Sequence, residues 1–177
     1  MPHKWEPVCP EPLGLVRPVR VDPTGVTGPT KAQAAGDDWR QTSWGFHVPA
    51  DTRSDLPEQR ILEQSVRLPA GGVVTGWAAS RLHRAGLLDG LAPDGVTRLP
   101  VPLALGVSGR IRGDSRIVRL HEPLAASDRT LRYGIPCAVI ERAVFDGMRL
   151  ASGGSVSRWC GSPAPTCRSE PWSPTGC

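Results

Sequence analysis

A chain of 177 residues that is 39% apolar, with a further 20 glycines, suits one domain, or a small module plus one domain, and is too apolar to be disordered throughout. Its 19 prolines and 20 glycines fall just short of a low-complexity composition. The net charge of +4 permits a nucleic-acid partner without demanding one. No apolar run approaches the ~18 residues needed to cross a bilayer, and the first 30 residues lack a signal-peptide core, so a cytoplasmic protein with no membrane partner is expected.

Proline density divides the chain. Seven of the prolines fall in residues 1–30, and almost all the Ile, Leu and Val fall in the middle. The division predicts a proline-rich arm over 1–25, a small module over 26–52, a larger domain over 53–150 and a tail over 151–177.

In the module, Thr30 to Ala35 reads as a short helix, capped by Thr30 and ended by Gly36. Trp39 to Pro49 reads as a hairpin turning at Trp44-Gly45. Asp55 then caps a helix with Pro57 in its first turn and Glu58 closing a capping box. Ile61, Leu62, Ser65, Val66 and Leu68 fall on one face of it. Val73-Val74 is a short buried strand, and Thr75 caps a helix ended by Gly86. Residues 98–107 form a strand whose Pro100 and Pro102 favour a sheet edge. Arg116 to His121 is a second strand, and Leu131 to Val139 is a third, bent at Gly134 and Pro136. Ile140, Val144, Phe145 and Met148 recur at helical spacing and predict a closing helix packed on a core of Ile61, Leu62, Trp77 and Leu82. Helices and strands mix without βαβ alternation, so the class is α+β, with a small mixed helix and antiparallel-sheet domain after the first module.

The tail is unlike the rest. Among Ile, Leu, Val, Phe and Met it holds only Val156, beside Cys160, Cys167, Cys177, Trp159 and Trp172. One valine in such a stretch cannot offset ordering entropy, so the tail is expected to be disordered and outside the fold. Its abrupt composition suits a shifted reading frame. The cysteine spacing and the absence of His there argue against a metal site.

Signals for chemistry are sparse. There is no phosphate loop of GxxxxGK[ST] type, no GxSxG elbow and no HExxH pair, so neither an enzyme, a cofactor, a catalytic residue nor a metal is expected. His83 reads as a surface or helix-end histidine. Glu141 and Asp146 read as a solvated pair, or as partners of Arg142 and Arg149. Arg110, Arg112, Arg116, Arg119, Arg129 and Arg132 read as solvated arginines on a sheet edge rather than a phosphate stripe. The first module is the better nucleic-acid candidate. Its helix and hairpin could place Lys31 and Gln33 near a groove, and Arg40 and Thr42 near phosphate.

Several stretches carry a resemblance. They are Gly28-Pro-Thr-Lys-Ala-Gln-Ala34, Trp39-Arg-Gln-Thr-Ser-Trp-Gly-Phe-His-Val-Pro-Ala50, Glu58-Gln-Arg-Ile-Leu-Glu63, Gly134-Ile-Pro-Cys137 and Glu141-Arg-Ala-Val-Phe-Asp146. The most specific is Val74-Thr-Gly-Trp-Ala-Ala-Ser-Arg-Leu-His83. From Gly28 to Met148 the chain resembles AbiEi-type antitoxins, transcriptional regulators of type IV toxin–antitoxin systems in high-GC Gram-positive bacteria. The resemblance implies a partial winged-helix-like module, an α+β antitoxin-type domain, DNA and a cognate toxin as partners, and no catalytic residues. It fixes no oligomeric state. It departs at Val139-Ile140, where relatives carry a hydroxyl residue then proline, and at Arg84, where they often carry glycine. Many relatives end in a Vsr-like nuclease domain, so the alternative is the inactive binding half of such a protein, without its catalytic domain.

Overall fold

Among the described residues, two short sheets and four α-helices are built from alternating turn formers and apolar runs. The structure, a computed structural model, describes residues 14–151. The predicted tail beyond Ala151 and the first half of the arm lie outside the described residues.

The first sheet grows from the Trp44-Gly45 turn. It joins β2 (Trp39–Ser43) to β3 (Phe46–Pro49), with a register irregularity between Gln41 and Ser43. A third strand, β1 (Val19–Arg20), pairs antiparallel with the other edge of β3. This corrects the expectation of an arm over 1–25. Prolines bar a helix there but not a two-residue edge strand. The loop after β1 is held by Asp22, whose carboxylate accepts bonds from the Thr24, Val26 and Thr27 amides. A single helical turn, α1 (Lys31–Ala34), follows, with Thr30 and Gln33 forming a reciprocal capping box.

Helix α2 (Pro57–Ser65) starts with Pro57 in its first turn, as the sequence implies, but not through Asp55. The cap position is Leu56, Asp55 is held by Arg53 at 2.6 Å, and the Glu58 carboxylate accepts from Arg81 at 2.6 Å. Charge-assisted bonds to one local arginine, Arg53, and one distant one, Arg81, outcompete the cap here. Most of α2 is buried, polar residues included, because it runs between the two sheets.

The second sheet has five strands: β4 (Val73–Val74), β5 (Val101–Ala104), β6 (Ile117–Leu120), β7 (Arg129–Arg132) and β8 (Ile135–Ala138). Their order is β6-β5-β4-β8-β7. The sheet is mixed rather than antiparallel. Pairs β4–β5 and β7–β8 are antiparallel, whereas β4–β8 and β5–β6 are parallel. The loops around β5 and β6 are long enough to return the chain in the same direction. Pro102 is therefore not on an edge strand. The amides of Val101 and Leu105 point to β6, so the Pro102 nitrogen faces the other side, where β4 has already ended at Val74. The third predicted strand is a hairpin, β7 and β8, joined at Tyr133-Gly134.

Helix α3 (Gly76–Leu82) packs against α2 and against the closing helix α4 (Ile140–Ala151). The two helices meet where Gly147 faces Gly76. A Cβ on Gly147 would come within 3.7 Å of the Gly76 Cα, so larger residues would push the helices apart. Small residues of α4 face α3 at this contact. Ala143 and Asp146 are buried, while Val144, Phe145 and Met148 are 46%, 49% and 59% exposed. The expected core stripe of α4 is thus left half-exposed, with Val144 and Met148 lining an open groove beside α3. Trp77 is only half buried, and Ala151, assigned above to the tail, ends α4. The core itself gathers Ile61, Val74, Leu82, Leu103, Ile135 and Cys137 between helices and sheet.

Candidate nucleic-acid interface

The residues singled out for DNA contact do not share one surface. Lys31 is exposed at the start of α1. Gln33 lies on the same turn, but its side-chain oxygen accepts the Thr30 amide at 2.8 Å and the Thr30 hydroxyl at 3.0 Å. It is occupied in holding α1 together. Four residues at 1.5 Å each give a helix of only about 6 Å. Thr42 is fully buried, and its hydroxyl donates to the Phe46 carbonyl at 3.3 Å. That corrects its expected place near phosphate: Arg40 and Thr42 share one alternation phase, but β2 runs from a half-buried start at Trp39 and Arg40 to a buried end at Thr42 and Ser43.

Arg40 lies in a cleft of about 590 Å³ between the two sheets. The cleft is lined by Arg40 from β2, Arg60 from α2, Arg98 from the loop before β5 and Arg116 from the loop before β6. Glu63 is the only carboxylate among the lining residues. Ser54 and Ser115 add hydroxyls, and Leu99, Pro100 and Val101 form an apolar wall. The arginines are positioned in different ways. Arg40 forks onto Glu63, with contacts of 2.7 and 3.2 Å. Glu63 in turn accepts from Gln59 at 3.1 Å. Arg60 donates to the Leu99 carbonyl at 2.7 Å and the Gly90 carbonyl at 3.3 Å, with its guanidinium 5.6 Å from the Trp77 ring. Arg116 donates to the Thr42 carbonyl. Arg98 is exposed and makes no hydrogen bond or ion pair among the described residues. Burial, and then the positive charge of Arg98, shift the Arg60 pKa below its ordinary value. The cleft lining therefore brings like charges together around one carboxylate, with Asp55 near Arg98 and Asp89 near Arg60 acting from outside the lining.

The remaining basic residues serve the fold. Arg67 binds Asp114 at 2.6 Å and the Arg112 carbonyl. Arg112 lies over the Trp44 ring at 4.3 Å, and Arg119 donates to the Ile111 carbonyl at 3.2 Å. These contacts, with Gln64 donating to the Thr42 carbonyl at 3.3 Å, fasten the first sheet and the loop before β6 to the larger domain. Arg129 caps the Leu124 carbonyl at 2.7 Å, and Arg132 donates to His83 Nδ1 at 3.3 Å. His83 Nε2 contacts the Ala138 carbonyl at 2.9 Å, so the histidine ties the end of α3 to the end of β8. Asp146 does find Arg142 at 3.1 Å, with Arg149 at 4.0 Å, and it also accepts the buried Thr75 hydroxyl at 2.6 Å. Thr75 thus spends its hydroxyl across the α3–α4 interface and not on capping α3.

No family model, no curated protein and no solved structure matches the chain. Sequence reasoning found Arg40 and grouped Arg116 with the edge arginines, but missed Arg60, Arg98 and Glu63. No short-range pattern links these positions. They are brought together only by the packing of α2 between the sheets.

Proposed function

We propose that the chain is a non-enzymatic, DNA-binding transcriptional regulator of AbiEi antitoxin type, with a cognate toxin as its second partner. One observation carries the DNA side: Arg40, Arg60, Arg98 and Arg116 converge on one cleft against a single lining carboxylate. Clustered guanidinium groups are the usual means of holding phosphate, and the resulting affinity is salt-dependent. The helical turn, hairpin and edge strand of residues 19–49 are compatible with a reduced winged-helix-like module, and Lys31 is its exposed base. The test is fluorescence anisotropy of the purified chain with duplex DNA across a salt series. Arg98→Ala removes an exposed side chain that makes no hydrogen bond or ion pair among the described residues, and should lower affinity and reduce the slope of log K against log salt by about 0.9. Unchanged affinity and slope would refute the role of the cleft.

A second reading, the binding half of a Vsr-like nuclease-family protein, is favoured by one feature. An apolar groove of about 540 Å³ opens between α3 and α4, beside Trp77, Leu88, Pro100 and Val144, and reaches Ala151 at the end of α4. A further domain could cover it. The neighbouring gene separates the readings: a nucleotidyltransferase-like toxin gene favours the antitoxin, and a nuclease-like reading frame downstream favours the split protein.

A further inference from the structure

The cleft has features that go beyond a general attraction for a nucleic-acid backbone. It is concave, and about 590 Å³ lies in the range of pockets that enclose small ligands, about 300–1,000 Å³. Its four guanidinium groups face one carboxylate, and that carboxylate is already forked onto Arg40. Three cations are left without a lining counter-charge. A phosphodiester brings one negative charge, whereas a phosphomonoester brings about two near neutral pH. Arg98 makes no side-chain hydrogen bond or ion pair among the described residues and feels only the more distant charge of Asp55, and Arg60 is held beside it by carbonyls that do not neutralise it. Leu99 and Pro100 offer an apolar wall on which an organic group can lie while its phosphate meets the arginines.

We infer that the cleft bounded by Arg40, Arg60, Arg98 and Arg116 is a binding site for a phosphomonoester dianion. The same chemistry is presented by the 5′-terminal phosphate of a nucleic-acid strand and by a free nucleoside monophosphate. This inference rests on the reading of the cleft as a phosphate site, and narrows it from backbone to terminal phosphate. Arg98 and Arg116 supply the adjustable donors, because neither is paired with a carboxylate. Arg60 supplies fixed charge, and Glu63 keeps Arg40 in place.

The experiment uses the full chain and four probes: a 12-nucleotide DNA strand with a 5′-phosphate, the same strand with a 5′-hydroxyl, adenosine 5′-monophosphate and inorganic phosphate. Calorimetric titration should show the 5′-phosphorylated strand binding about tenfold or more tightly than the 5′-hydroxyl strand, the scale expected for charge-assisted hydrogen bonds. Arg98→Gln should abolish that preference while leaving the melting temperature nearly unchanged, since the Arg98 side chain makes no hydrogen bond or ion pair among the described residues and its bridge to Leu91 is made by the backbone. If adenosine 5′-monophosphate binds as tightly as the phosphorylated strand, the source is a free monoester. If only the strand binds, the source is a nucleic-acid end. Equal affinity for both strands, with neither adenosine 5′-monophosphate nor inorganic phosphate bound, overturns the inference and leaves DNA binding standing. No binding of any probe overturns both.

Discussion

Replacing Asp146 should unsettle the protein more than replacing the large aromatic residue beside it. Asp146 is 1% exposed and accepts the Thr75 hydroxyl at 2.6 Å, a charge-assisted bond between two buried groups. Such a bond contributes about 1.5–3 kcal/mol. Asp146→Ala also takes from Arg142 its nearest carboxylate, leaving Glu122 at 3.4 Å and Asp128 at 3.7 Å. Breaking a buried pair costs about 3–5 kcal/mol, and the two remaining carboxylates bring this case to the low end. The sum is about 4.5–6 kcal/mol, which for a chain of this size lowers Tm by roughly 10–20 °C. Phe145 is 49% exposed on the outer face of α4. Phe145→Ala therefore forfeits about half of a buried aromatic contribution, on the order of 1 kcal/mol, where a core phenylalanine would cost about 3–5. Thermal melts followed by circular dichroism compare the two variants directly. A larger drop for Phe145→Ala than for Asp146→Ala would refute the reasoning and restore the periodicity-based core.

Further outcomes follow from named contacts. Gly90→Ala should destabilise by roughly 2 kcal/mol or more, because a Cβ there would lie 2.3 Å from the Trp77 ring and the backbone has φ +72°; the melt of that variant measures it. The hydrogen bonds and charge of Arg149 hold the Glu122 carboxyl below its ordinary 4.5. Its folded pKa is lower than its unfolded one, so its contribution is present above about pH 4.5 and is lost as pH falls; Glu122→Gln should flatten the acid limb of a stability–pH profile. Burial pushes the Cys137 thiol up to about 11 from 9.0. That contribution is fully present below about pH 9 and is lost as pH rises towards 11, and Cys137 should resist iodoacetamide at pH 8 until the protein is unfolded, as peptide mapping would report.

Local chemistry was legible in the sequence where it acts within a few residues. The Thr30 cap, the Trp44-Gly45 turn, the short Val73-Val74 strand and the start of α4 at Ile140 all depend on neighbours in the chain, and the α+β class follows from their order. The long-range choices were not legible. Periodicity marks Val144, Phe145 and Met148 as the core stripe of α4, but α4 meets α3 where Gly147 lies beside Gly76 and Ala143 and Asp146 are buried, and those three are left half-exposed. Asp55 and Glu58 had the right spacing for a cap, yet Arg53, two residues away, and Arg81, on α3, claimed them. The candidate site divides in the same way. Arg40 was visible as a basic residue on a hairpin, whereas Arg60, Arg98 and Arg116 become its neighbours only because α2 runs between the two sheets. Turn and cap preferences are encoded over three or four residues. The sum of charges in a cleft is a property of packing.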